Sequence, residues 1–291
     1  MQYLVSALAL GSLYALVAVG YTMVYGILRL INFAHGEVFM LGSYIAFYAI
    51  AVFLIPWWAG FIVALGLTGV LGAGLELVAY RPLRNSPKIS LMNSAIAAFF
   101  LIQNLIIVIF GGRPKNFPVP EIFNKIVTIH TASVDYISII IPAITAVLLT
   151  MLLIIVNKTK TGTAMRAIAS DPPMAKLMGI NVNKIVSFTF GTGSVLAAAG
   201  GVMWALKYPQ LNPSMGMIPG LKCFIAAAIG GIGSISGAAL GGLLLGLVEI
   251  MVVAAFPAFT VYRDAIAFIL FIIILLLKPS GLLGKNQIEK A

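Results

Sequence analysis

Long apolar runs separated by short polar segments constrain this chain more than any other feature. Charged residues make up 9% of its 291 residues and hydrophobic residues 61%, whereas a soluble domain carries roughly 25% charged residues. So few charges cannot cover a globular surface, and a helix crosses a hydrocarbon core of about 30 Å with roughly 20 apolar residues. The sequence therefore predicts an all-α, polytopic membrane helix bundle of about eight transmembrane elements, formed as a single domain from residues 1–291. The apolar runs cover residues 3–28, 38–55, 57–79, 89–110, 136–156, 185–206, 221–256 and 264–277.

The seventh run, residues 221–256, is too long for one ordinary span. Its segment 230–242, GGIGSISGAALGG, is rich in glycine, which favours a broken or re-entrant helix at that point. Small residues also let membrane helices pack closely. We therefore expect the glycines of this segment both to break the helix and to allow close contact with another helix. Broken helices in transporters expose free backbone groups to a cavity. Gly230, Gly231 and Gly233 are therefore candidate residues of a translocation path.

Basic residues indicate the orientation of the bundle, because Lys and Arg accumulate in short cytoplasmic loops. Arg81, Arg84 and Lys88 lie between the third and fourth runs, and five basic residues lie in segment 157–184, between the fifth and sixth. We therefore expect both loops in the cytoplasm, the N-terminus outside and the C-terminus inside. Glu76, near the end of the third run, is placed to form an interfacial ion pair with Arg81. The net charge of +10 reflects these loops and does not indicate a nucleic-acid partner.

The segment 157–184 is the longest polar stretch of the chain and has the start and stop signals of a folded loop. Ser170 or Asp171 can cap a helix, and proline is tolerated in its first turn. A short helix over 173–178 would then end at Gly179, since glycine commonly terminates helices. The alternative is a solvated basic loop held near anionic lipid. Candidate contact residues for a cytoplasmic partner are Arg166, Asp171, Ala175, Lys176, Leu177 and Gly179.

Polar residues inside or near the spans are further candidates for a path, because ionisable groups in a membrane mark pathways or buried pairs. Asn32, His35 and Glu37 lie close to the boundary of the first two runs, and Glu249 lies well inside the seventh. For His35 and Glu37 the alternative is a place at the interface or at a helix start. For Glu249 the alternative is a structural hydrogen bond, since a buried carboxylate needs a partner or a proton.

The composition argues against catalysis by this chain. It has two histidines, one cysteine and eight acidic residues scattered along its length, so we predict neither a catalytic nor a metal site, and a disulfide framework is excluded. The sequence contains no GxxxxGK[ST] nucleotide loop. A stand-alone secondary transporter or channel for a small polar solute fits the composition equally well, whereas a multi-pass membrane enzyme fits it poorly.

Several short motifs follow one another along the chain: GSLYAL at 11–16, NFAHG at 32–36, GINV at 179–182, GLK at 220–222 and PSGL at 279–282. Taken in this order, they resemble the integral membrane permeases of ATP-binding-cassette (ABC) importers for branched-chain amino acids, in the subfamily of the first of two paired permeases. The resemblance covers nearly the whole length. Each motif is weak by itself, but the order and spacing are specific. Importer permeases for urea, short amides or sugars have a close pattern and stay open as alternatives.

This resemblance implies a non-catalytic transport subunit of the bacterial cytoplasmic (inner) membrane, without a cofactor of its own. The implied partners are a related second permease, two cytoplasmic ATPase subunits that use ATP, and an extracytoplasmic substrate-binding protein, with no nucleic acid. Residues 173–179 would be the coupling helix that docks on an ATPase, and they share Ala175-x-x-x-Gly179 with the coupling loop of importer permeases. The outer segments 111–135 and 207–221 would receive the binding protein.

Overall fold

The structure is a computed structural model that describes residues 2–129 and 132–284. Most of the regular structure in this part of the chain is helical. His130, one of the two histidines, and the tail lysines Lys285 and Lys290 lie outside the described residues. The helices are α1 (Gln2–Leu28), α2 (His35–Phe47), α3 (Trp57–Leu75), α4 (Lys88–Phe110), α5 (Tyr136–Lys158), α6 (Lys160–Ser170), α7 (Pro172–Leu177), α8 (Val182–Lys207), α9 (Met217–Gly230), α10 (Ile235–Ala255) and α11 (Arg263–Leu277).

Eight helical segments of the described chain are long and apolar enough to cross a membrane. They are α1, α3 to α5, α8, α10 and α11, together with α2 and the π-helical turn Tyr48–Val52 that extends it. A second π-helical turn, Glu76–Tyr80, extends α3. The predicted fold class, a polytopic helical membrane bundle, is confirmed, and the chain is a multi-pass membrane protein.

Two small antiparallel sheets lie at one end of the bundle. Strand β1 (Lys115–Asn116) pairs with β4 (Gln210–Leu211), with Lys115 opposite Leu211. Strands β2 (Ile126–Ile129) and β3 (Ala132–Asp135) form a second pair. The first sheet joins the segment between α4 and α5 to the segment between α8 and α9, so it fixes two connecting loops at the same face.

Helix α1 is the centre of the bundle and is buried along most of its length. Helix α10 packs on α1 in the antiparallel direction. Gly242 faces the backbone of Ala15 and Gly246 faces that of Gly11, so closely that an added methyl group would overlap it. Helix α8 also crosses α1 closely, at Gly193. Small residues allow this close approach. The resulting van der Waals contacts stabilise the packing, because the hydrophobic effect does not drive helices together in lipid. Helices α4 and α11 bury few residues and present apolar surface outward.

The seventh apolar run is broken, as the sequence predicts, but the break covers only residues 231–234, between α9 and α10. Gly231 and Gly233 have positive φ angles of 109° and 96°, and both conformations favour glycine because it has no Cβ. Gly237 and Gly241 lie inside α10, where an added methyl group would overlap the backbone of α9. The glycine-rich segment therefore combines one tight turn with a close helix contact.

Helices α2 and α9 both begin inside the bundle. The ring of His35, the first residue of α2, lies 4.6 Å from the ring of Tyr21, measured between centroids. Tyr21 is seven residues before the end of α1, which corresponds to roughly 10 Å along a helix. Gly36 packs directly against Gly216 and Gly220 at the start of α9. The two helix starts therefore meet within the bundle, and the sequence did not predict this depth for α2.

Candidate functional site

The polar segment between α5 and α8 folds into two helices with clear ends. The Thr159 side chain caps α6 by accepting a bond from the Gly162 amide at 3.1 Å. The Asp171 Oδ1 atom caps α7 by accepting a bond from the Met174 amide at 3.0 Å. Two prolines stand in the first turn of α7, as is favoured there, and Gly179 follows its end with a φ of 81°. Helix α7 begins and ends one residue earlier than the predicted span 173–178.

Helix α6 is packed on the bundle, whereas α7 protrudes from it. Met165 and Ile168 of α6 are buried. On α7 and just after it, Met174, Leu177 and Met178 are 58%, 81% and 81% exposed. A group of exposed apolar side chains on a capped helix is the usual mark of a protein contact.

The predicted contact residues of this loop divide into two groups. The Arg166 guanidinium donates to the Val156 carbonyl at 2.8 Å and to the Asn157 side chain at 3.2 Å, so it ties α6 to α5. Ala175 is buried on the inner side of α7. Leu177 and Lys176 are exposed on its outer side, and Asp171 and Gly179 define the ends of α7.

A second group of predicted residues holds the start of α2. The Asn32 Oδ1 atom accepts bonds from the Tyr80 hydroxyl at 2.6 Å and from the Ala34 amide at 3.1 Å. His35 and Glu37 are buried, and within the described chain neither the Nε2 atom of His35 nor either carboxylate oxygen of Glu37 has a hydrogen-bond partner. The structure therefore brings Asn32, His35 and Glu37 together at one helix start.

Glu249 lies in a separate ion cluster beside Tyr14, near the middle of α1. It accepts bonds from the Tyr14 hydroxyl at 2.9 Å and from Lys222 Nζ at 2.6 Å, and it pairs with Arg263. Lys222 also pairs with Asp264 at 2.6 Å. The cluster has two charges of each sign and joins α1, α9, α10 and α11. Sequence reasoning stated that Glu249 needs a partner or a proton but did not identify Tyr14, Lys222 or Arg263. A lysine within an apolar run was the available signal.

The three candidate glycines occupy different places. Gly230 is buried against α10, and Gly231 forms the turn that follows. Gly233 lines a cavity of about 510 Å³, together with residues from α1 and the C-terminal segment. Arg29, which has a positive φ of 51°, lines the same cavity. Of the three candidate glycines, therefore, Gly233 is the one that lines this cavity.

The basic loops that the sequence assigned to one side do lie at one end of the bundle. The Arg84 guanidinium donates to the Asn183 side chain at 2.7 Å, which joins the loop after α3 to the start of α8. The predicted pair of Glu76 and Arg81 is present at 2.9 Å. No group of three or more His, Cys, Asp or Glu residues able to hold a metal ion occurs among residues 2–129 and 132–284.

A multi-pass helical bundle with a protruding loop and a broken helical segment is typical of membrane transport proteins. Residues 3–275 match the protein family described as branched-chain amino acid transport system / permease component, and the chain belongs to that family. It is 40% identical to the high-affinity branched-chain amino acid transport system permease protein LivH of Escherichia coli K12, over 100% of this chain and 97% of the relative. The corresponding BraD permease of Pseudomonas aeruginosa is also 40% identical, with the same coverage.

A similar solved structure is described as PsaBC from Streptococcus pneumoniae in complex with Fab. It covers 96% of this chain and 93% of its own, with a TM-score of 0.53 and 15% sequence identity. At this identity the likeness concerns the fold alone. The family assignment rests on the sequence matches, and they confirm the resemblance found in the motifs.

Proposed function

We propose that this chain is a permease subunit of an ATP-driven ABC importer, and that it forms the translocation path for branched-chain amino acids delivered by an extracytoplasmic binding protein. Relatives named as high-affinity branched-chain amino acid transport system permease proteins align with it from end to end. The observation that carries the proposal is α7, a capped helix with exposed apolar side chains at the end that also bears the basic loops. Its exposed surface suits a groove on a separate protein.

Helix α7 is the proposed coupling helix. Leu177, Met174 and Met178 would enter a groove of an ATPase subunit, the helix-in-groove mode of recognition. Lys176, on the same exposed surface, would pair with an acidic residue at the groove edge. Arg166 would not contact the ATPase. It would hold α6 to α5, so that a displacement of α7 is passed through α6 to the membrane helix α5. Closure of the ATPase dimer would then bias the permease between two states.

The proposed assembly needs further subunits beside this chain. Its sequence has no nucleotide loop, so two cytoplasmic ATPase subunits would bind and hydrolyse ATP, and this subunit would be non-catalytic and need no cofactor. A related second permease would complete the path. The binding protein would dock on the face formed by β1, β4 and the β2–β3 pair. The assembly would sit in the cytoplasmic membrane with α7 inside the cell.

The path would pass the starts of α2 and α9. A cavity of about 260 Å³ lies there and is lined mainly by apolar residues, among them Tyr21, Phe33 and Phe99. Such a lining suits an aliphatic side chain, because it offers few competing hydrogen bonds. Asn32, His35 and Glu37 border the start of α2 and supply polar groups near this cavity. Glu249, paired with Lys222 and Arg263, would hold the bundle together and would not contact substrate.

Substitution of Leu177 tests the docking role of α7. The complete transporter is expressed with its ATPases, partner permease and binding protein, and the permease carries Leu177→Asp. A charge in an apolar groove is strongly disfavoured, so the ATPases should no longer co-purify and uptake of labelled leucine should fall at least tenfold. Leu177→Met preserves an apolar contact and Lys160→Asp changes the charge of α6 instead, so both should retain uptake.

The outcomes separate the proposal from its main rival. If Leu177→Asp keeps both the ATPases and uptake, α7 does not couple this chain to a motor. A stand-alone secondary transporter would carry substrate without the ATPases and would follow an ion gradient. If vesicles that contain only the permease take up leucine, and an ionophore that dissipates the ion gradient stops this uptake, the result would support that rival and exclude the importer.

A further inference from the structure

A polar cluster joins the end of α3 to the start of α8. We call it the Glu76 cluster, and its members are Glu76, Arg81, Arg84, Asn183 and Ser187. The Glu76 carboxylate is fully buried and pairs with Arg81 at 2.9 Å and with Arg84 at 2.5 Å. It also accepts a bond from the Ser187 hydroxyl at 2.6 Å. Arg81 and Arg84 reach α8 as well, at Ser187 and Asn183. The two helices are therefore linked by several charged contacts around a single carboxylate.

This cluster is close to the proposed coupling helix along the chain. Four residues, 178–181, separate α7 from α8. The Ile180 amide donates to the Ala175 carbonyl of α7 at 3.1 Å, and the Asn181 side chain caps α8 by accepting a bond from the Lys184 amide at 3.1 Å. With both ends held by hydrogen bonds, this linker has little freedom to absorb a displacement of α7. A movement of α7 therefore reaches the first turns of α8, where Asn183 and Ser187 lie.

The same turn of α3 also contacts the start of α2. Glu76 and Tyr80 are the first and last residues of the π-helical turn that extends α3, and π-helical turns are frequent at functional sites. Tyr80 is buried, and its ring lies 5.2 Å from that of Phe190 of α8. Its hydroxyl donates to Asn32 Oδ1 at 2.6 Å. Asn32 in turn holds the Ala34 amide, one residue before α2 begins.

We propose that Glu76, Ser187, Tyr80 and Asn32 are positioning residues that transmit a displacement of α7 through the start of α8 and the end of α3 to the start of α2. The proposal rests on the coupling role proposed for α7. The steps of this relay are side-chain contacts between different elements, the hydrogen-bonded linker 178–181, and the π-helical turn that runs from Glu76 to Tyr80. The last contact depends on one hydroxyl, that of Tyr80, so the relay can be interrupted with little change in packing.

Tyr80→Phe removes that hydroxyl and keeps the ring against Phe190. The chain offers a matched control in Tyr44, which is also fully buried and whose hydroxyl has no partner among the described residues. Each variant is reconstituted as the complete transporter in proteoliposomes. The measured quantity is the number of ATP molecules hydrolysed per leucine transported, together with the amount of ATPase that co-purifies. A loss of folded protein lowers both rates equally and leaves this ratio unchanged.

We expect Tyr80→Phe to raise the ratio about fivefold while the ATPases still co-purify, and Tyr44→Phe to leave it at the wild-type value. A wild-type ratio for Tyr80→Phe, even with lower thermal stability, would overturn the proposal. The bond between Tyr80 and Asn32 would then only stabilise the fold. Loss of the ATPases from Tyr80→Phe would overturn it as well, because the hydroxyl would then act on assembly.

A second variant tests the other end of the relay. Ser187→Ala removes the hydroxyl that bridges Arg81 and Glu76, and Thr192→Ala is its control, because the Thr192 hydroxyl bonds only to carbonyls of its own helix among the described residues. Two breaks in one relay should not add, so Ser187→Ala combined with Tyr80→Phe should raise the ratio no more than the larger single effect. Multiplied effects would contradict a single relay.

The outcomes for α7 and for the relay are distinguishable. If Leu177→Asp uncouples transport but Tyr80→Phe and Ser187→Ala do not, the relay is wrong and the coupling role of α7 stands. If Leu177→Asp has no effect, the coupling role fails and the relay fails with it.

Discussion

Individual polar residues in this bundle differ in how completely they are paired. Glu249 has partners from three other helices, Glu76 has two arginines and a serine, and Asn32 accepts two hydrogen bonds. Glu37 has none among the described residues. Because an unpaired charge is costly in a membrane, a fully paired side chain is expected to move only together with its partners. By this measure Glu37 is the residue of the set best suited to change its contacts during transport.

Neutralising Glu249 should destabilise the bundle. Glu249→Gln leaves Arg263 without its carboxylate partner and leaves Lys222 with Asp264 alone. Breaking a buried ion pair by removing one partner costs about 3–5 kcal/mol, so the purified permease should unfold at a clearly lower temperature in detergent. Glu121→Gln, an exposed change at the sheet end of the bundle, should unfold like the wild type. Equal unfolding temperatures for Glu249→Gln and the wild type would refute a stabilising role for the cluster.

At the scale of elements, glycine spacing decides which helices touch. Helices α1 and α10 approach closely because glycines of each face the backbone of the other. The sequence predicted a close helix contact in the segment 230–242, and Gly237 and Gly241 form it with α9. The partner helix could not be predicted, since small residues on several helices offer equally good surfaces and the pairing is set by the whole bundle.

A large side chain at Gly242 should separate α1 from α10. Gly242→Leu would drive its side chain into the backbone of Ala15, and overpacking that shifts the backbone typically costs about 1–3 kcal/mol. Gly66→Leu on α3 is the matched control, because nothing lies within 4 Å of its added Cβ. We expect Gly242→Leu to reduce the yield of folded permease in size-exclusion chromatography and Gly66→Leu to preserve it. Similar yields for both variants would contradict the packing of α1 on α10.

At the scale of the whole molecule, the sequence predicted about eight transmembrane elements and the grouping of the basic loops. Apolar length and the distribution of Lys and Arg are strong signals because the bilayer acts on every span in the same way. The depth at which α2 begins was not predicted. It depends on residues 29–34 returning beside α1 and on Tyr80 holding Asn32, a contact between residues 48 apart in sequence. Such long-range contacts leave no periodic signal in the chain.

The orientation of the molecule can be tested by labelling in intact cells. The native Cys223 is buried, so the unmodified permease should react with a membrane-impermeant maleimide neither before nor after the cells are opened. Lys125→Cys places an exposed thiol beside β2, and Lys176→Cys places one on α7. With the N-terminus outside, Lys125→Cys should label in intact cells, and Lys176→Cys should label only in inside-out vesicles. Labelling of Lys176→Cys in intact cells would put α7 outside, where no cytoplasmic ATPase could reach it, and the coupling role and the relay would both be lost.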